Sequence, residues 1–293
     1  MSSAEITSAV IVGAGTMGHG IAQVCAQAGI RVTLVDVNAT AVDKGLAGIG
    51  KSLTRAIDKG KLTAEGRDRI LGLVTKSTDA VAAAAGADLV VEAVPEKMEL
   101  KLALFRELSR AAPAHALLGT NTSSLSVTEI ASAANDPSRV VGLHFFNPVP
   151  VMELLEIVRG LSTSDASVER ARGFAGQIKK TPVVVRDFPG FATSRLGVML
   201  GCEAMRMVEQ GVASPADIDT AMRLGYRHPM GPLELTDLVG LDVRLAILEH
   251  LHREVGEQFR PPALLRQMVR AGRLGRKTGR GFYEYPAEPA TKA

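Results

Sequence analysis

Residues 6–30 carry no Asp, Glu, Lys or Arg, yet glycines stand at 13, 15, 18, 20 and 29. Length alone would let such a run span a bilayer. Gly13 and Gly15 break it into two short elements, however, and a strand, a tight turn and a helix account for it better. The segment reads Val10-Ile11-Val12-Gly13-Ala14-Gly15-Thr16-Met17-Gly18, a β-branched run entering G-x-G-x-x-G. The first glycine permits the tight turn, the second lets backbone approach a pyrophosphate, and the third lets helix and strand pack closely. The helix opening at Thr16 and Met17 offers unpaired N–H groups and the positive end of its dipole to the phosphates. A second β-branched run, 31–35, ends at Asp36, 18 residues past Gly18. A carboxylate there accepts hydrogen bonds from ribose hydroxyls and repels a 2′-phosphate, so the pattern selects NAD over NADP.

The rhythm begun there continues. Strand patterns fall at 9–12, 31–35, 73–75, 89–93, 116–120, 140–143, 152–157 and 183–185, with helical patterns at 16–28, 39–59, 97–112 and 167–178. Such alternation implies βαβ units. After Val185 the strand pattern stops. Phe188-Pro189-Gly190 signals a turn, and helices are expected at 191–210, after Ser214-Pro215, at 241–255 and at 262–271. The expected fold is α/β, a doubly wound, Rossmann-type, mostly parallel sheet followed by an all-helical C-terminal domain. Residues 1–187 form the NAD-binding domain and 188–293 a helical substrate and dimerisation domain. Residues 286–293 read as a frayed tail.

With 46% apolar and 22% charged residues and a net charge of +3, the chain is a soluble globular protein that calls for neither nucleic acid nor membrane. Cys25 and Cys202 are far apart in sequence and in no metal-ligand spacing, so neither a disulfide nor a metal site is expected. With no basic, apolar-cored leader at the N-terminus, a cytoplasmic protein is expected.

A second informative stretch is Gly142-Leu143-His144-Phe145-Phe146-Asn147-Pro148. A histidine following a strand sits where α/β sheets bind ligands. Oxidising an alcohol with NAD requires a group that takes the hydroxyl proton, which imidazole does near neutral pH. Glu156, 12 residues on in a strand able to return beside the first, would orient the ring and stabilise its charged form. From these residues alone, a structural, hydrogen-bonded histidine is an equal reading. Ser52 and Lys59 are seven apart and share a helix face. With Lys44, Lys51, Arg55 and Lys61 they make a basic region, suited to the phosphates of a CoA thioester or simply a solvated face.

The chain resembles the L-3-hydroxyacyl-CoA dehydrogenase family, including its 3-hydroxybutyryl-CoA dehydrogenases. The resemblance runs from Val10 to Tyr285 through VIVGAGTMGHGIAQ, VVEAVPE, NTSSL, GLHFFNPVPVMELLEIV, DFPGF, AMRLGYRHPMGPLELTDLVGLD and GRKTGRGFYEY. It implies NAD-dependent oxidation of a short 3-hydroxyacyl-CoA in a homodimer, with the substrate entering between the domains. His144 then matches the catalytic histidine, Glu156 its orienting carboxylate, and Ser123 a serine that bonds the reacting oxygen beside the nicotinamide. Glu96, Lys101 and Asn147 match residues at the cofactor or substrate, Ser52 and Lys59 a pair touching CoA, and Lys277 a lysine approaching the cofactor.

One position departs from the pattern: Ser194 stands where the family carries an amide side chain toward the substrate, and serine is shorter with one donor. Gly197 and Gly201 on the same helix would leave more room there. This leaves the acyl chain open more than the reaction. Competing readings are dehydrogenation of a non-CoA hydroxy acid, of gulonate or carnitine type, and a non-catalytic dinucleotide-binding protein. For the dimer, Met199, Met205, Met207, Leu233, Leu235, Leu238 and Leu241 offer apolar surface, though from these residues alone an ordinary core is an equal reading.

Overall fold

The computed structural model describes residues 5–286. The frayed tail expected at 286–293 therefore lies outside the described residues, Pro286 excepted. The chain divides into two compact units between Phe188 and Pro189.

The first unit runs β1 (Ser8–Val12), α1 (Thr16–Gln27), β2 (Arg31–Val35), α2 (Ala39–Asp58), α3 (Ala64–Gly72), β3 (Val74–Ser77), α4 (Ala80–Ala84) and β4 (Leu89–Glu92). It continues α5 (Met98–Ala111), β5 (Leu117–Thr120), α6 (Val127–Ser132), β6 (Val140–Phe145), β7 (Leu154–Arg159), α7 (Asp165–Gln177) and β8 (Thr181–Arg186). All eight expected strands form, in one sheet of order β3-β2-β1-β4-β5-β6-β7-β8. The central strands are buried on both faces, which is why they read as continuous apolar runs. In β1, Ala9 and Ile11 pack into one core layer while Val10 and Val12 pack into the other. Strand order reverses beside β1, where doubly wound sheets open a ligand crevice at their carboxyl edge.

Every neighbouring pair is parallel except β6 and β7. The link between those two, residues 146–153, is too short for a crossover helix, so β7 must turn straight back. This corrects one expectation. His144 was read as following a strand, but β6 continues through Phe145. Pairing with β5 ends at Gly142, and the antiparallel pairing with β7 carries β6 three residues further.

Three helices escaped the sequence pattern because they are short: α3, α4 and α6. Their caps were readable. Thr63, Asp79 and Ser126 each accept the backbone N–H three residues on. Cys25 is completely buried and its thiol is pushed up to about 12 by burial, so it is inert.

The second unit is helical: α8 (Thr193–Glu209), α9 (Pro215–Gly225), α10 (Pro232–Val239), α11 (Leu241–Glu254) and α12 (Ala263–Arg270). Gly211 takes the left-handed conformation just past α8, and Ser214 caps α9 ahead of Pro215. Helix α10 was not foreseen. Its opening amides, Leu233 and Glu234, donate to the buried Asp219 carboxylate of α9 at 2.8 Å each, a cap no local pattern reveals. The core gathers Val198, Cys202, Met205, Leu233, Leu241, Leu248 and Phe259. Of the apolar residues that could serve either a surface or a core, Met205, Leu233 and Leu241 are interior, whereas Leu238 is exposed. Among the described residues no helix is long and apolar enough to cross a membrane.

Candidate active site

The glycine loop leaves β1 at the reversal point. Gly13 has φ +104°, and a side chain there would strike Ala93 O at 2.5 Å. A Cβ on Gly18 would meet Gly13 O at 1.6 Å, so only glycine lets α1 sit this close to the turn. A Cβ on Gly15 would meet nothing within 4 Å. Open space therefore lies beside the helix start, where a pyrophosphate has to approach. Helix α1 has no acidic residue in its first turn and no side-chain cap, so its leading amides suit phosphate oxygens.

Asp36, at the end of β2, faces this loop. One oxygen accepts the Ala14 N–H at 2.8 Å and the other the Val37 N–H at 2.8 Å. The carboxylate is therefore fixed beside the turn. Met17 is half-buried against the core. The residues present fit a dinucleotide with two free ribose hydroxyls.

The second group sits at the ends of β5 and β6. His144 and Glu156 are register partners across the antiparallel ladder. Opposed residues of such a pair share one face of the sheet. His144 Nδ1 lies 2.8 Å from Glu156 Oε2, with the carboxylate completely buried and the imidazole 6% exposed. With Nδ1–H donating to the carboxylate, Nε2 carries the basic lone pair. The Phe146 ring packs at 4.4 Å from the imidazole. Asn121, just past β5, accepts the Phe145 N–H at 3.0 Å and ties the two strand ends together.

Ser123 lies three residues beyond β5 on a loop held by Glu96. Glu96 Oε1 accepts the Thr122 hydroxyl at 2.5 Å and the N–H groups of Ser123 at 2.9 Å and Ser124 at 3.3 Å. Burial opposes ionisation of Glu96, but the Lys101 ammonium and these hydrogen bonds outweigh it and hold its carboxyl below the usual range. Lys101, expected at the cleft, is only 1% exposed. Its Nζ contacts Glu92 at 2.6 Å and Glu96 at 3.2 Å. Glu92 is completely buried and also accepts the Thr120 hydroxyl at 2.7 Å and the Val94 N–H at 2.8 Å. Sequence reasoning missed Glu92, Thr120, Thr122 and Asn121. The signal was a carboxylate inside an otherwise apolar strand, which must find partners.

Thr16, Ser52 and Asn147 converge on a pocket of about 280 Å³, together with Lys51, Arg55 and His19. Lys59 does not line it and is exposed at the end of α2. The loop after Asn147 is pinned by the buried Lys180 ammonium, which donates to Val149 O at 2.7 Å and Met152 O at 2.5 Å. In the helical unit, Ser194 is half-buried on the first turn of α8. Lys277 is paired with Asp242, its Nζ 2.6 Å from Oδ2.

A doubly wound sheet with a glycine loop, an acidic β2 terminus and a histidine–carboxylate pair at its carboxyl edge defines an NAD-dependent dehydrogenase. Residues 8–188 match the 3-hydroxyacyl-CoA dehydrogenase NAD-binding domain, and residues 190–285 match the C-terminal domain of the same enzymes. The chain belongs to the 3-hydroxyacyl-CoA dehydrogenase family. It is 46% identical over 282 residues to a probable 3-hydroxybutyryl-CoA dehydrogenase of Bacillus subtilis, covering 96% of this chain and 98% of that one. A 3-hydroxyadipyl-CoA dehydrogenase of Escherichia coli is 43% identical over 286 residues, covering 97% of this chain and 60% of that protein. The crystal structure of (S)-3-hydroxybutyryl-CoA dehydrogenase from Ralstonia eutropha superposes with TM-score 0.93 at 42% identity, covering 97% of this chain and all of that one. The chain is accordingly an NAD-dependent oxidoreductase of 3-hydroxyacyl-CoA thioesters.

Proposed function

We propose that the chain oxidises a short 3-hydroxyacyl-CoA to the 3-ketoacyl-CoA, with His144 as the base. The supporting observation is the 2.8 Å contact between His144 Nδ1 and Glu156 Oε2, which fixes the tautomer whose Nε2 takes a proton. NAD supplies the hydride acceptor. Ser123 holds the 3-hydroxyl while His144 removes its proton, and buried Glu156 stabilises the imidazolium that results. In reduction the imidazolium returns the proton, so acid pH favours the hydroxy product.

The remaining assignments follow the family pattern. Gly13, Gly15, Thr16, Met17, Gly18 and Asp36 hold the dinucleotide, with Asn147 and Lys277 contributing. Glu96 presents the Ser123 loop, and Lys101 acts through Glu96. Ser52 and Lys59 contact CoA, and the basic lining of the Ser52 pocket favours a CoA ester over a free hydroxy acid. Ser194 faces the substrate. The unit from Pro189 onward carries the dimer contact, with exposed Leu224, Tyr226 and Leu238 as its apolar anchors. The protein acts as a cytoplasmic homodimer.

NADH consumption with acetoacetyl-CoA and with acetoacetate tests the reaction. Turnover confined to the thioester is expected. Turnover of the free acid alone would replace the reading with a non-CoA dehydrogenase, and NADH binding without turnover of either would leave a sensor.

A further inference from the structure

Among the described residues of the helical unit, one buried charge has no neutralising partner. Arg244 of α11 is 6% exposed, and its Nε is buried without a hydrogen-bond partner. Burial alone draws the guanidinium down to about 10, and no neighbouring charge or hydrogen bond pulls the other way. The other buried acidic and basic side chains among the described residues have partners. Asp219 takes two amides and the Tyr283 hydroxyl, and Asp237 takes two amides and the Tyr285 hydroxyl. Lys101 and Lys180 are likewise satisfied. An unpaired buried cation is costly, and a fold that keeps one supplies its counter-charge from elsewhere.

The place for that counter-charge is visible beside Gly197. A Cβ built there would meet only Arg244 Nη1, at 3.9 Å. The guanidinium therefore borders a space from which α8 has withdrawn its side chain. Ser194 lies three residues earlier, on the same face of α8. A guanidinium fork suits a carboxylate, which it grips through two parallel hydrogen bonds, and a serine one turn earlier on the same helix face can offer a hydroxyl.

We propose that Arg244, with Ser194 and the bare backbone at Gly197, receives a carboxylate at the far end of the acyl chain. The enzyme's favoured substrates are then 3-hydroxyacyl-CoA thioesters of dicarboxylic acids. The serine takes part because a shorter side chain leaves room for the longer acyl group. This rests on the reading of Ser194 as facing the substrate. A phosphate of CoA presents similar anionic chemistry, but every acyl-CoA carries it, so substrate comparison separates the two sources.

The test uses the whole enzyme in an NADH-consumption assay with acetoacetyl-CoA and 3-oxoadipyl-CoA. Wild type is expected to favour 3-oxoadipyl-CoA in kcat/KM. Arg244→Met removes the charge and keeps an apolar stem. It is expected to lose roughly 10- to 100-fold on 3-oxoadipyl-CoA, mainly through KM, the loss of one charge-assisted bond, while acetoacetyl-CoA turnover holds. Its melting temperature without ligand should not fall, because an unpaired buried charge has been removed. Gly197→Leu, which fills the space without touching the charge, should show the same selective loss. Equal kcat/KM for the two substrates in wild type would overturn the proposal. So would an equal loss on both in Arg244→Met, which would assign the arginine to a CoA phosphate or to the fold. No turnover of either thioester by wild type would instead reject the underlying reaction.

Discussion

His144 and Glu156 face each other across β6 and β7, and their side chains meet at 2.8 Å because the two strands hold them in register. The ladder fixes the two backbones, and burial with the mutual contact confines the side chains. The dyad is thus oriented before substrate arrives, which is what a general base requires. His144→Gln is expected to lower turnover by roughly 10²–10⁴-fold, and Glu156→Gln to lower it in the same direction. NADH affinity, followed by fluorescence titration, should change little in either. A parallel loss of turnover and NADH affinity would mean that the substitutions disturb the fold rather than the chemistry.

The glycine loop offers a paired test of cofactor fit. Gly15 has φ −66° and ψ −170°, open to any residue, and a Cβ there points into empty space. Gly15→Ala should fold with an unchanged melting temperature yet bind NADH at least about tenfold more weakly, a loss of about 1.4 kcal/mol. Gly18→Ala must displace Gly13 O and should destabilise the fold by about 1–3 kcal/mol or more. If Gly15→Ala bound NADH normally, the space beside it would not be where the pyrophosphate lies.

These two sites differ in how far the sequence revealed them. The loop, Asp36, the eight strands and the long helices are local features, set by periodicity, turn chemistry and caps, and each was readable in place. The meeting of His144 and Glu156 was half readable, because the short link after β6 demanded a strand that turned back. What escaped depends on partners distant in the chain. Helix α10 is capped by Asp219 of another helix, and Lys101 is buried only because Glu92 on β4 awaits it. Sequence spacing carries no record of such pairings. Nor could the apolar pattern of the helical unit separate Met205, which is interior, from Leu238, which is exposed.

The Glu92–Lys101 pair makes that buried dependence measurable. The two side chains are 0% and 1% exposed, so removing one partner strands a charge in the interior. Lys101→Met should destabilise by about 3–5 kcal/mol, read from denaturant midpoints at unchanged slope. Adding Glu92→Gln to Lys101→Met should recover part of the loss, since the stranded carboxylate is then neutral. Additive losses in the double variant would show that the pair is not coupled.

Glu96 links that pair to the loop bearing Ser123, and its carboxyl is held below its ordinary value of 4.5. A group that ionises more readily when folded stabilises the fold above its ordinary value. That contribution drains away as pH falls through the lowered one. Glu96→Gln removes it at every pH. The melting temperature of wild type should therefore exceed that of the variant at pH 7, and the gap should begin to narrow only below the ordinary value of 4.5 and close as pH falls through the lowered one, where wild-type Glu96 also becomes neutral. Amide exchange at Ser123 and Ser124 should speed up in the variant at pH 7, because both N–H groups donate to Glu96. A gap that stayed constant as pH was taken from 7 down through that lowered value would mean that the loop is held by shape alone and not by the charge on Glu96.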